Sequence, residues 1–95
     1  MLFSSGYDSN IIAFNLNDYT RVGNMTGHKW EVWQLEYSNN CLFSGSHDHS
    51  LKIWDIRNFL NTSTLLGHRG YIHALIWAEG GLLSASLDRQ IKFWQ

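Results

Sequence analysis

Laid on itself so that Leu2 meets Leu42 and Leu42 meets Leu82, this sequence superposes without a gap, and that constrains the fold more than any other feature of it. The stretches "MLFSSGYDSNIIAFNL" (1–16), "CLFSGSHDHSLKIWDI" (41–56) and "GLLSASLDRQIKFWQ" (81–95) align column by column. Leu2, Leu42 and Leu82 share a column, as do Ser4, Ser44 and Ser84, then Asp8, Asp48 and Asp88, then Phe14, Trp54 and Trp94. A second part of the repeat occurs twice, as "GHKWEVWQLEY" (27–37) and "GHRGYIHALIW" (67–77).

Within each period the apolar residues alternate over short runs, and turn residues separate the runs. The second period predicts strands at 32–37, 41–46, 50–55 and roughly 60–66, broken by "SNN", "HDH", "RN" and the Gly-His pair. Apolar residues do not repeat at helical spacing beyond about two turns. The chain has no proline, where typical usage of about 5% would give roughly five, so its turns rely on Gly, Asn, Asp and Ser. Connections this short force antiparallel neighbours. Leu51 and Ile53 face away from Trp54, so each four-stranded unit needs a cover on both faces, which stacking of like units supplies.

A Gly-His pair at 27–28, an aspartate at 48 and Trp-Asp at 54–55, with the next Gly-His opening the following period at 67–68, resemble the WD-repeat family, and the resemblance runs over essentially the whole chain. The tight period is similar to that of compact WD propellers such as those of F-box substrate adaptors and myosin heavy chain kinases. The resemblance implies an all-β fold: a β-propeller segment of four-stranded antiparallel blades, with partial blades at 1–26 and 67–95 around a complete blade at 27–66. It also implies that His28, Ser44, Asp48 and Trp54 form one hydrogen-bonded set, and His68, Ser84, Asp88 and Trp94 the next. Buried imidazole, hydroxyl, carboxylate and indole groups each need a partner, which a connected set provides. The first period departs from the pattern: Phe14 replaces the Trp and no His precedes Ser4.

Read as chemistry, Ser44, His28 and Asp48 make the residue trio of a hydrolase. The same trio recurs one period later as Ser84, His68 and Asp88, and a catalytic constellation has no reason to repeat in adjacent structural units. No catalytic residue is assigned, and the chain is expected not to be an enzyme. His47 and His49 near Cys41 straddle a tight turn whose counterparts are Tyr7 with Ser9 and Leu87 with Arg89, so no metal or cofactor site is assigned either. Lys52 and Lys92 are expected to pack their stems and hold their amines in water.

The family binds partners at the face built from the loops before the first strand and the turns between the second and third. By that resemblance the candidate binding face holds Tyr7, Lys29, Trp30, Glu31, Trp33, His47, Arg69, Tyr71, His73 and Leu87. The Trp, Tyr and Arg among them are types enriched in interface hot spots. The expected role is a non-catalytic interaction scaffold that binds a protein or peptide. The alternatives are the targeting or substrate-recognition propeller of a larger enzyme, such as a kinase or ubiquitin-ligase component, and a self-assembling ring-forming unit.

Seven Lys and Arg against eight Asp and Glu, with no like-charge run, argue against a nucleic-acid partner. The longest apolar runs are too short to cross a membrane as a helix. A single cysteine, Cys41, fits a reducing compartment, so an intracellular, cytoplasmic location is expected. The chain holds about 2.4 repeats where a closed propeller takes roughly four to eight blades. The expected context is a longer propeller chain, with a homo-oligomeric ring as the other possibility.

Overall fold

A computed structural model describes residues 1–6, 8–78 and 80–94. Among them the backbone forms ten strands and no helix. Strands β1 (Leu2–Ser5), β2 (Ile11–Phe14) and β3 (Arg21–Met25) make the first sheet. Strands β4 (Val32–Ser38), β5 (Cys41–Ser46), β6 (Leu51–Asp55) and β7 (Leu60–Leu65) make the second. Strands β8 (Ile72–Ala78), β9 (Gly81–Ser86) and β10 (Ile91–Trp94) make the third. Every pairing is antiparallel between sequence neighbours, as the short connections demand.

The repeat in sequence is a repeat in backbone detail. Ser9, His49 and Arg89, which share one column of the repeat, all lie in the left-handed region, with φ of 64°, 73° and 70°. In each of these turns an aspartate one residue earlier (Asp8, Asp48 or Asp88) accepts a hydrogen bond from the backbone N–H two residues on, the side-chain turn that lets a non-glycine residue hold this conformation. Tyr19 and Phe59 share another column and lie in the same region, at 60° and 61°. The strand ladders slip at matching places too, between Val32 and Gln34 in β4 and between Ile72 and Ala74 in β8. Trp33 and His73 are the extra residues of these two bulges.

The sheets stack face to face. Leu42 and Trp54 lie opposite each other across β5 and β6, and they pack with Ile11, Ala13, Met25 and Val32 in the core between the first and second sheets. The other face of the second sheet meets the third: Phe43 stacks on Trp77 at 5.3 Å, and Ile72 fills the hollow over Gly45. A Cβ at Gly45 would come within 2.5 Å of the Ile72 methyl, so this approach depends on the absence of a side chain. Polar contacts also cross between sheets. Ser5 Oγ donates to the Val32 carbonyl at 3.1 Å, and the Trp77 N–H donates to Glu36 Oε2 at 2.8 Å.

Candidate binding face and the network beneath it

Under the loops of the second sheet, four side chains join in a line. The Trp54 indole donates to Ser44 Oγ at 2.8 Å, Ser44 Oγ lies 2.6 Å from His28 Nε2, and His28 Nδ1 lies 3.0 Å from Asp48 Oδ2. An ionised carboxylate only accepts, so His28 donates from Nδ1; with the ring neutral, Nε2 accepts and the Ser44 hydroxyl donates to it. Every proton in the line then points from Trp54 toward Asp48. In the third sheet Trp94, Ser84, His68 and Asp88 repeat the arrangement at 2.9, 2.7 and 3.0 Å. Ser44, Ser84, His28 and His68 are all buried.

Asp48 does more than close the line. Its Oδ2 also accepts from the Lys29 N–H, and its Oδ1 from the Ser50 N–H and hydroxyl. Burial pushes its carboxyl upward, but bonds from His28, Ser50 and the Lys29 backbone outweigh this and hold it well below the usual carboxylate range. Asp88 is depressed in the same way: desolvation opposes the shift, while the Arg69 N–H and His68 drive it. Both aspartate side chains are only a tenth exposed. The trio is therefore engaged in holding two loops, and its hydroxyl is enclosed rather than open to a substrate. Among the described residues no group of three or more His, Cys, Asp or Glu gathers at metal-ligand spacing.

Ser46 and Ser50 are part of this assembly, and the strand pattern gave no reason to single them out. Ser46 Oγ donates to the Glu31 carbonyl at 2.8 Å and accepts from the Asp48 N–H at 3.1 Å, tying the loop before β4 to the turn after β5. Recurrence of Ser46 as Ser86 was the available signal. Gly27 and Gly67, just before each network histidine, have φ of 150° and 154°, a conformation that favours glycine.

On top of this support sits a group of aromatic rings. Trp30 lies 5.1 Å from His47, His47 stacks on Tyr71 at 4.8 Å with 11° between planes, and Tyr71 stacks on Trp33 at 5.2 Å. These four rings form a plate that joins the second and third sheets. Trp30 and Trp33 remain 55% and 47% exposed. Trp33 reaches the plate as the extra residue of the β4 bulge, a feature that re-aims a side chain out of the ladder's alternation. Glu31 stands beside the plate, its Oε2 3.7 Å from His47 Nδ1, and lines a hollow of about 180 Å³ with Gly6, Val32 and Trp33.

The remaining face residues are less gathered. Lys29 lines a separate hollow with Asp48, Ser50 and Lys52. Arg69, beside Asp88, holds the corresponding place in the third sheet. His73 and Leu87 are exposed, and the Leu87 N–H donates to the Tyr71 carbonyl at 3.1 Å. Tyr7 lies outside the described residues. Lys52 Nζ donates to Thr64 Oγ1 at 2.9 Å on the surface of the sheet.

Comparison with known proteins agrees with this geometry. The family model described as "WD domain, G-beta repeat" matches residues 19–55 and 59–95, two copies in the register of the internal repeat. Among solved structures, the chain is similar to the computationally designed Ika4 protein, with a TM-score of 0.89, 24% identity and 97% of this chain covered. It is similar to the designed Ika8 protein with the same TM-score, identity and coverage. At that identity the likeness concerns the fold alone. The chain spans 57% of the first of these proteins and 29% of the second. No curated protein sequence matches significantly.

Proposed function

The chain belongs to the WD-repeat family, and from that premise we propose that it is a non-catalytic platform that binds a protein or peptide segment on the plate formed by Trp30, His47, Trp33 and Tyr71. WD repeats generally mediate protein interactions, and the family is generally non-catalytic. The observation that carries the reading is the exposure of two tryptophans, one of them in a loop whose backbone is hydrogen-bonded to Asp48 and Ser46. Large aromatic surface left in water is costly, and it is concentrated where partners bind. Ser44, His28 and Asp48 support the plate from below and take no part in chemistry.

Peptide display on the immobilised chain tests this reading. Selected peptides are expected to lose at least about tenfold in affinity for the Trp30→Ala and Trp33→Ala variants, a loss in the hot-spot range. Each variant should keep the parent's melting midpoint to within a few degrees. Peptides that bind both variants as they bind the parent would place the binding surface elsewhere.

A second reading concerns assembly and rests on the two end faces. Ile91 is 75% exposed, although Leu51 in the same column is 1% exposed, and Leu2 is 53% exposed where Leu42 is 1%. These faces suit further sheets of the same kind, from a longer chain or from other copies.

A further inference from the structure

The geometry points to a cationic side chain, arginine above all, as the group that the plate takes from its partner; this rests on the platform reading and adds the chemistry of the ligand. The plate includes two exposed indoles, Trp33 with Tyr71 stacked against it and Trp30 tilted against His47, and indole is the ring that attracts a cation most strongly. A guanidinium is planar and weakly hydrated, so it can lie flat on such a face while its edge donates hydrogen bonds.

The acceptor for that edge is present. Glu31 adjoins Trp30 in sequence, shares the hollow with Trp33, and has a side chain one-third exposed. Among the described residues no donor is hydrogen-bonded to its carboxylate, and His47 Nδ1 stands 3.7 Å from its Oε2. Gly6 forms another wall of the hollow, and among the described residues, its chain neighbours aside, a Cβ there would meet nothing within 4 Å. Lys29 and Arg69, the basic residues of the same loops, are not among the described residues that line it. Lys29 lies in the hollow lined by Asp48 and Lys52, and the Arg69 backbone is held at Asp88 in the third sheet.

Other side chains fit less well. A carboxylate would meet both Glu31 and the negative ring faces. An apolar side chain would cover Glu31 without giving it a donor. Lysine would satisfy the charge, but its compact ammonium lacks the fork that stacks and donates at once.

The test uses two pentapeptides, acetyl-Gly-Gly-Arg-Gly-Gly-amide and its neutral citrulline counterpart, titrated into the ¹⁵N-labelled chain while the tryptophan indole N–H signals are followed by NMR. The arginine peptide is expected to shift the Trp30 and Trp33 signals saturably and leave that of buried Trp54 in place. The citrulline peptide should bind at least about fivefold more weakly. Glu31→Gln should bring the arginine peptide down to the citrulline level at an unchanged melting midpoint. Equal binding of the two peptides, or unaltered arginine affinity in Glu31→Gln, overturns the assignment of a cation while the platform reading stands. Failure of both peptides to bind, with display-selected peptides still shifting Trp33, has the same meaning. If the selected peptides also leave Trp30 and Trp33 unmoved, the platform reading falls with it.

Discussion

Ser44 Oγ is the atom on which the second sheet's polar interior turns, because it serves an indole donor and an imidazole acceptor at once. Trp54→Phe removes the indole N–H and leaves a buried hydroxyl one partner short. It should cost about 1 to 3 kcal/mol, whereas Lys52→Ala, which removes only a surface bond to Thr64, should cost under about 0.5 kcal/mol. Urea unfolding of the two variants checks this, and equal midpoints would count against the network as a stabilising unit. Asp48 and Asp88 contribute to the response to acid. Their carboxyls are depressed in the folded state, so their contribution is complete above the ordinary value of 3.8 and declines as pH falls below it. The urea midpoint should therefore drop between pH 6 and pH 3. In Asp48→Asn the drop should be smaller, from a lower starting point; an identical drop would show that Asp48 carries none of the acid sensitivity. Recurrence at fixed spacing marked the network's columns, and the resemblance to WD repeats implied that they join. Ser50 was not legible in the sequence, because its column holds Asn10 and Gln90 in the other periods; Ser46 recurs as Ser86, a signal that went unused.

At the level of strands and sheets, the alternation of apolar residues located the second period's strands to within about two residues. It could not show the bulges at Trp33 and His73, since a bulge is a relation between two strands rather than a property of one. Nor could it show that Trp33 meets Tyr71: the two belong to different sheets, and their columns hold different residues in each period. Columns that repeat (Leu42, Ser44, Asp48) build the sheets, while those that diverge (Trp30 against Gly70, Glu31 against Tyr71, His47 against Leu87) make the face. Between sheets the closest fit is Ile72 over Gly45. Gly45→Ala should force the second and third sheets apart and cost about 1 to 3 kcal/mol. Pairing it with Ile72→Val, which trims the opposing side chain, should restore part of the loss; a neutral Gly45→Ala would mean that the sheets do not approach as described.

For the whole molecule, the decisive asymmetry is between inner and outer members of the same column. Leu51 and Leu42 are sealed, while Ile91 and Leu2, their equivalents at the two ends, face water. Phe93 is half exposed on the same strand as Ile91. Apolar surface of this kind drives association. Light scattering on the purified 95-residue chain should give a mass above 11.0 kDa that rises with concentration, and the Ile91→Lys, Phe93→Lys double variant should lower it. A monomer at every concentration would show that the end faces are stable in water. The network described above bears on how such a molecule could arise. His28, Ser44, Asp48 and Trp54 all fall within a single period of the sequence, so a tandem duplication of one period copies donor and acceptor together, and the new unit inherits a satisfied interior without any compensating mutation.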